Sequence, residues 1–127
     1  MLDPRVEKIF RQVKEEFKHT PDGPVDNWAV PSEHHAMLAQ LGVIKDDCDG
    51  FALRCRELLD GLAVDNRLVI VRVRSLPFPV NGHMVCTVGG WVLDNRCSSV
   101  ISRDLLDYDF LIQSGFHAGD DWHMCEI

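Results

Sequence analysis

The chain has 127 residues, of which 46% are hydrophobic and 26% are charged, and its formal net charge at pH 7 is −7. These proportions are typical of a single globular domain and exclude a disordered or fibrous chain. The excess of acidic residues argues against a nucleic-acid partner, because binding to phosphates needs a clustered basic face. The longest apolar runs are far shorter than the ~20 residues that span a bilayer, so no membrane partner is predicted.

The N-terminal sequence and the cysteines predict where the protein works. Residues 1–5 lead straight into an amphipathic pattern and lack the basic and apolar regions of a secretory signal. The five cysteines are irregularly spaced and odd in number, which is not typical of a disulfide framework. We therefore expect reduced thiols and a cytoplasmic location for one domain that spans residues 1–127. The sequence does not predict the oligomeric state.

An amphipathic helix is predicted within residues 1–20. Its apolar positions recur at helical spacing: Val6, Ile9, Phe10, Val13 and Phe17. Asp3 is available as its N-cap, and Pro4 is favoured at the first helical position. The prolines and glycine of residues 20–24 then end the helix.

Two further helices are predicted in the first half of the chain. Ser32 can cap a short second helix, which Gly42 ends. A third apolar stripe at helical spacing follows: Phe51, Ala52, Cys55, Leu58, Leu59 and Leu62. Because Asp46 and Asp47 precede this stripe, Cys48 falls at the start of the third helix.

The second half of the chain has the pattern of β-strands. Strands are predicted at residues 68–74, 82–88 and 91–95, with a further short one at 99–102. The pair Gly89 and Gly90 predicts a tight hairpin turn between the second and third of them. In the tail from Asp104, acids alternate with apolar residues, and no further element is assigned. Helices followed by antiparallel strands predict an α+β domain with helices packed on one side of an antiparallel sheet.

Cys48 has the placement of a cysteine nucleophile. A thiol attacks as the thiolate, and the unpaired N–H groups of a helix start favour that anion. The same N–H groups can stabilise the oxyanion that forms when a thiolate adds to a carbonyl. Asp46, Asp47 and Asp49 oppose ionisation, because they place like charge beside the sulfur. A positive group is therefore needed to offset them.

His83 is the candidate for that positive group. A histidine at the start of a strand that faces the helix start could take the thiol proton and pair with the thiolate. A third group usually fixes the imidazole tautomer, and the next strand of the hairpin offers Asp94. With a turn at Gly89 and Gly90, His83 lies roughly opposite Asn95 and one place from Asp94. Asn95 therefore stays an alternative orienting group.

Five short segments keep their order and spacing across residues 26–111. They are Asp26-Asn27-Trp28-Ala29-Val30-Pro31-Ser32-Glu33, Asp47-Cys48-Asp49-Gly50-Phe51-Ala52, Gly82-His83-Met84-Val85, Trp91-Val92-Leu93-Asp94-Asn95, and Ser102-Arg103-Asp104-Leu105 through Asp109-Phe110. Together they resemble the bacterial transglutaminase-like cysteine proteinases. That family carries an Asp-x-Trp-x-x-Pro-x-Glu approach, an Asp-Cys-Glu-Asp-Tyr-Ala type motif, a His on a strand, a Leu-Asp-Asn motif and a closing Arg-x-Asp-Leu segment.

The resemblance implies a papain-like fold, in which a nucleophilic cysteine at a helix start packs beside an antiparallel sheet. It also implies the role of each residue: Cys48 would be the nucleophile, His83 the general base and acid, and Asp94 the orienting acid. The best-known members are bacterial periplasmic proteases that require calcium, so the resemblance suggests a bacterial or phage origin.

The resemblance also raises a calcium site. In the family the acids that flank the cysteine bind the metal, and here they correspond to Asp47 and Asp49. A hard cation on these oxygens would cancel their repulsion of the thiolate. The chain departs from the family at Gly50, which replaces an acid and takes away one oxygen ligand. The acids are alternatively explained as a helix cap and a solvated first turn.

The remaining chemistry-bearing residues have simpler explanations. Trp28 lines the substrate cleft or helps to bind the oxyanion, or else it is a packing anchor near Pro31. The other cysteines are expected to be inert: Cys55, Cys86, Cys97 and Cys125. The other histidines lack metal-binding spacing and are expected at the surface: His34, His35, His117 and His123.

The sequence thus predicts a thiol hydrolase, in the simplest case a cysteine peptidase that cleaves peptide or protein amides through a thioester. A transglutaminase or acyltransferase with the same triad is an alternative. A second alternative is a catalytically silent scaffold or binding protein of this fold.

Overall fold

The computed structural model describes residues 2–19, 46–77, 81–116 and 120–125, apart from the side chains of residues 18, 19 and 46–49. The described elements are, in chain order, α1 Pro4–His19, α2 Asp46–Gly61, β1 Arg67–Val73, β2 Gly82–Val88, β3 Trp91–Leu93, β4 Ile101–Ser102, a 3₁₀ helix Arg103–Leu105, β5 Tyr108–Gln113 and β6 His123–Met124. The predicted helix between Ser32 and Gly42 lies outside these residues. Within them, no helix is long and apolar enough to cross a bilayer.

Helix α1 begins where the sequence predicts. The Asp3 carboxylate accepts a hydrogen bond of 2.9 Å from the backbone N–H of Arg5, and Pro4 is the first helical residue. The stripe facing the core is buried: Val6, Ile9, Phe10 and Val13. The predicted amphipathic helix is therefore confirmed.

The six strands form one antiparallel sheet in the order β4-β3-β2-β1-β5-β6. The predicted hairpin joins β2 to β3, and Gly89 adopts a φ of +58° in its turn, a conformation that favours glycine. Val88 pairs with Trp91 and Cys86 with Leu93, a register within the range that the Gly-Gly turn predicts. Strand β3 ends at Leu93, two residues earlier than predicted. The α+β class with an antiparallel sheet is confirmed.

Strands β5 and β6 are not predicted by the sequence pattern. The pairing of β5 with β1 shifts register between Ile70 and Val71. Phe110 and Ile112 consequently pack on different faces of the sheet, although they are two residues apart. This irregularity breaks the period of two that would mark a strand in the sequence.

The sheet has two apolar faces. The helix-covered face packs against α1 and α2, and its strand residues include Leu68, Ile70, Met84, Cys86, Leu93 and Ile112. The opposite face is lined by Val69, Val71, Val73, Val85, Val92 and Tyr108. Ile101 of β4 and Leu106 of the connection from β4 to β5 also pack on this opposite face. Because side chains alternate along a strand, His83 lies on the opposite face with Val85.

Phe51 joins the two helices to the core. It is 1% exposed, and the rings of Phe10 and Phe17 pack edge-on against it at centroid distances of 5.7 and 5.5 Å. We expect Phe51→Ala to lower the free energy of unfolding by about 3–5 kcal/mol, because it removes buried contacts and leaves a cavity. Urea denaturation measures this loss. Leu105→Ala is the control, because Leu105 is 74% exposed; equal losses in both variants would contradict this packing.

Candidate active site

Cys48 is the third residue of α2, so its backbone lies in the first helical turn. The prediction that Cys48 falls at a helix start is therefore confirmed. The side chains of Cys48, Asp47 and Asp49 lie outside the described residues, as does Trp28. The proposed roles of these four residues stay predictions.

The first turn of α2 lies at the end of the sheet where β2 begins. Only residues 62–66 separate α2 from β1, so these elements run in opposite directions, and β2 is antiparallel to β1. Helix α2 packs chiefly on β2, and the buried side chains of Cys55 and Cys86 lie close to each other in the core. From these two residues back to Cys48 and to His83, the helix rises about 10 Å and the strand spans about 10 Å. Along the direction of the strands, the first turn of α2 therefore lies at the same position as His83.

His83 and Asp94 form a buried pair. The distance from His83 Nε2 to Asp94 Oδ1 is 2.6 Å, and the two residues are 6% and 0% exposed. His83 is the second residue of β2, and Asp94 directly follows β3, so the hairpin holds them together. The predicted contact between the two residues is confirmed.

Three further donors hold the Asp94 carboxylate. The Tyr108 hydroxyl donates to Oδ2, the backbone N–H of Arg96 donates to Oδ1 at 2.9 Å, and the Cys97 thiol donates to Oδ2 at 3.8 Å. Burial by itself raises the pKa of Asp94. The hydrogen bond and charge of His83, with the bonds from Tyr108 and Arg96, outweigh burial and hold this pKa below its ordinary value. Asp94 is therefore ionised at neutral pH.

Tyr108 is fixed as a hydrogen-bond donor. Its pKa is raised, first by burial and then by its bond to the Asp94 carboxylate. The Arg96 guanidinium donates to the Tyr108 oxygen at 3.2 Å, and the Tyr108 ring packs edge-on against His83 at a centroid distance of 6.1 Å. The sequence-based prediction does not include Tyr108 and Arg96. The contact of Tyr108 with Asp94 can be inferred only when β5 is known to pair with β1.

The contact with Asp94 decides which nitrogen of His83 can act as a base. An ionised carboxylate only accepts hydrogen bonds, so Nε2 carries the proton in this pair. The neutral ring then has its lone pair on Nδ1, for which the described residues offer no hydrogen-bond partner. An imidazole held in this way can accept a proton at Nδ1, and Asp94 stabilises the imidazolium that results.

The His83 ring lies near the end of the sheet, on the face opposite α2, together with Tyr108. Only Gly82 precedes His83 in β2. A group on the first turn of α2 would have to approach Nδ1 around this end of the sheet rather than through it.

Helix α1 ties this end of the hairpin to the start of α2. The Lys14 ammonium donates to the backbone carbonyl of Asn95 at 3.0 Å and lies 5.9 Å from the centroid of the Phe10 ring. Phe10 in turn packs on Phe51, three residues beyond Cys48. Asn95, the alternative orienting group, makes no described bond to His83, and its side-chain oxygen is buried without a partner in the described structure. Asp94 is the group that contacts the imidazole.

The four described cysteines are free thiols whose pKa values are raised. Burial raises the pKa of Cys55 well above its ordinary value, that of Cys86 to about 12 and that of Cys97 to about 11. Burial raises the pKa of Cys125 as well. Thiols that keep their protons at neutral pH are poor nucleophiles, in line with the inert role predicted for all four.

Metal binding is not supported by the described side chains. None of them form a cluster of three or more His, Cys, Asp or Glu residues arranged to hold a metal ion. The calcium ligands that the sequence suggests, Asp47 and Asp49, have side chains outside this set. His34, His35 and His117 also lie outside the described residues, whereas His123 is exposed in β6 as expected.

Ionisation of Asp94 makes the free energy of unfolding depend on pH in the acidic range. Because its folded-state pKa is lowered, its contribution is present above the ordinary pKa of 3.8 and is lost as pH falls through the lower folded value. We expect the urea midpoint of the native chain to fall between about pH 5 and about pH 2, and to fall less in Asp94→Asn. Asp109→Asn removes a partly exposed paired acid and should have a smaller effect. The same pH dependence in the native chain and Asp94→Asn would contradict this.

The chain was compared with models of protein families, with curated proteins and with solved structures, and none of the three comparisons finds a match. The resemblance to transglutaminase-like proteinases therefore rests on the sequence motifs. The chemistry of the site has to be argued from its own geometry.

Proposed function

We propose that this chain is a cysteine hydrolase of the transglutaminase-like class with a papain-like arrangement of helix and sheet. The observation that carries the proposal is the buried 2.6 Å contact between His83 Nε2 and Asp94 Oδ1, because it leaves Nδ1 as the base. The first turn of α2, which carries Cys48, is level with this histidine. The substrate class is a peptide or protein amide.

The proposed reaction has two halves. In the first, the Cys48 thiol transfers its proton to His83 Nδ1, and the sulfur adds to the amide carbonyl. The carbon–nitrogen bond then breaks as His83 returns the proton to the leaving amine, and a thioester to Cys48 remains. In the second half, His83 takes a proton from water, the hydroxide adds to the thioester, and the sulfur leaves as the acid product forms. The proton then returns to Cys48.

The surroundings of His83 suit this proton transfer. Asp94 stabilises the imidazolium, and Tyr108 and Arg96 hold the carboxylate in place. An imidazolium opposite the sulfur supplies the positive charge that has to offset Asp47 and Asp49. Backbone N–H groups of the first turn of α2 would bind the oxyanion, and Trp28 is a second candidate for that role.

The experiment incubates the purified chain with fluorescein-labelled, unfolded casein at neutral pH, once with calcium and once with a chelator. We expect fluorescent peptides to be released by the native chain and not by His83→Ala. A requirement for calcium would support Asp47 and Asp49 as ligands. If neither condition gives cleavage above that of His83→Ala, the proposal of a hydrolase is wrong.

A parallel reaction with a fluorescent primary amine separates hydrolysis from acyl transfer, because both start from the same thioester. Hydrolysis releases peptides and leaves the amine free. Incorporation of the amine into casein without loss of chain length would instead identify an acyltransferase with the same triad.

A further inference from the structure

A pocket of about 530 Å³ lies at the end of β1 that is remote from His83. Its polar and charged lining residues are Arg67, Arg103, Gln113, Asp120 and His123. With two arginines and one aspartate, the lining of the pocket has a net positive charge even when His123 is neutral. The whole chain, by contrast, has a net charge of −7. We call this feature the arginine pocket.

Both guanidinium groups of the arginine pocket are held by aromatic rings. The Arg67 guanidinium lies 3.9 Å from the centroid of Phe116, and its Nη1 donates to the backbone carbonyl of Ser114 at 2.9 Å. The Arg103 guanidinium lies 4.1 Å from the centroid of Phe110. The ion pairs found among the described residues use neither arginine. Stacking on a ring orients each guanidinium and leaves N–H groups at its edge for a ligand.

The lining favours an anionic group that is carried on a larger molecule. Guanidinium groups recognise planar carboxylates and phosphates through paired N–H donors. The pocket also presents apolar surface, because Phe116 is 42% exposed and Met124 is 70% exposed. A free inorganic ion gains nothing from that surface, whereas the methylene groups of an acidic side chain can pack on it.

The arginine pocket and His83 belong to the same face of the sheet. Arg67, Val69 and Val71 alternate onto the opposite face along β1, and Val71 pairs with His83 on β2. Val69 and Val71, which follow Arg67 on this face, are 2% and 0% exposed, so a bound polypeptide lies outside this part of the face.

We propose that the arginine pocket binds the carboxylate of an acidic residue in a polypeptide substrate. This inference rests on the proposed function and deepens it, because it names acidic polypeptides as the substrate class. Arg67 and Arg103 are then residues that determine specificity, and they take no part in the chemical step.

The test measures binding to the Cys48→Ala chain, which cannot form the thioester. Two capped peptides that differ only by Glu or Gln at one position are titrated, and NMR follows the side-chain N–H signals of the arginines. We expect the Glu peptide to bind about tenfold more tightly, and Arg103→Gln to remove most of this preference. Arg103 is exposed, so its substitution is not expected to disturb folding, which circular dichroism checks.

Arg72→Gln is the matched control. Arg72 lies on β1 like Arg67, but its guanidinium pairs with Asp109 at 3.0 Å, and it does not line the pocket. We expect this variant to keep the preference for Glu. Equal binding of both peptides, or an undiminished preference in Arg103→Gln, would overturn the proposal. So would inorganic phosphate that binds the pocket more tightly than the Glu peptide, because the pocket would then be a phosphate site.

The binding test and the casein test can fail independently. Binding to Cys48→Ala needs no hydrolytic step, so a lost preference for Glu beside intact cleavage of casein overturns the arginine pocket alone. Absent cleavage beside an intact preference overturns the hydrolase and leaves a binding protein for acidic polypeptides.

Discussion

Replacing Cys48 by alanine is expected to lower kcat for casein cleavage by a factor of about a thousand or more and to leave the fold intact. The nucleophile forms the covalent bond of the proposed thioester, and alanine offers no group that could replace it. Initial rates of casein cleavage measure the activity. The urea midpoint of the same preparation shows that the variant is folded.

Cys55→Ala is the control for this experiment, because it removes a thiol from the same helix. Cys55 is buried in the core and its pKa is raised by burial, so it has no part in the proposed chemistry. We expect this variant to lose about 1 kcal/mol of unfolding free energy and to keep its activity within about twofold. Cleavage that survives in Cys48→Ala, or that vanishes equally in both variants, would contradict Cys48 as the nucleophile.

Asp94→Asn is expected to lower kcat by a factor of about 100 to 10,000 with little change in KM. Four donors point at the Asp94 carboxylate: His83 Nε2, the Tyr108 hydroxyl, the backbone N–H of Arg96 and the Cys97 thiol. An asparagine offers one accepting oxygen and one donating nitrogen, and it has no charge to stabilise the imidazolium. Where its nitrogen faces His83, the imidazole must also change tautomer, which takes the lone pair of His83 away from Nδ1. Steady-state kinetics with a fluorogenic peptide separate kcat from KM.

Tyr108→Phe provides a graded comparison. It removes one of the four donors and leaves the contact between His83 and Asp94 in place. We expect kcat to fall only about threefold to tenfold and the unfolding free energy to fall by about 1 kcal/mol. A loss as large as that of Asp94→Asn would show that Tyr108 acts at the reacting atoms, and the assignment of Asp94 as the orienting group would then need revision.

Local patterns in the sequence predict the parts of the fold that depend on neighbouring residues. The stripe from Val6 to Phe17 marks α1, and the Gly89-Gly90 pair marks the hairpin and limits its register. Because the register follows from the turn, the proximity of His83 and Asp94 could be predicted within one position. The choice between Asp94 and Asn95 could not, because β3 ends at Leu93 and the chain turns there.

Features that depend on distant parts of the chain are not predictable in this way. Strand β5 pairs with β1 across 35 or more residues, and its irregular register hides its alternation. The hydrogen bond from Tyr108 to Asp94 therefore cannot be predicted until the pairing of β5 with β1 is known. The arginine pocket is likewise assembled from β1, the 3₁₀ helix and the segment around β6.

The relation between the helix start and His83 also needed the structure. The sequence suggests a histidine that faces the helix start, whereas His83 lies on the face opposite α2, next to the strand end at Gly82. The proposal therefore requires the Cys48 sulfur to meet Nδ1 at the end of the sheet. This requirement makes the ionisation of Cys48 the most informative property of the protein.

The central claim is tested most directly by the rate at which iodoacetamide alkylates the native chain as a function of pH. The other four thiols have raised pKa values and should contribute little near neutral pH. We predict one fast-reacting thiol at pH 7, absent in Cys48→Ala and slowed in His83→Ala, because His83 stabilises the thiolate. If Cys48 reacts no faster than an ordinary thiol at pH 7, and its rate is the same in His83→Ala, the account of this site is contradicted.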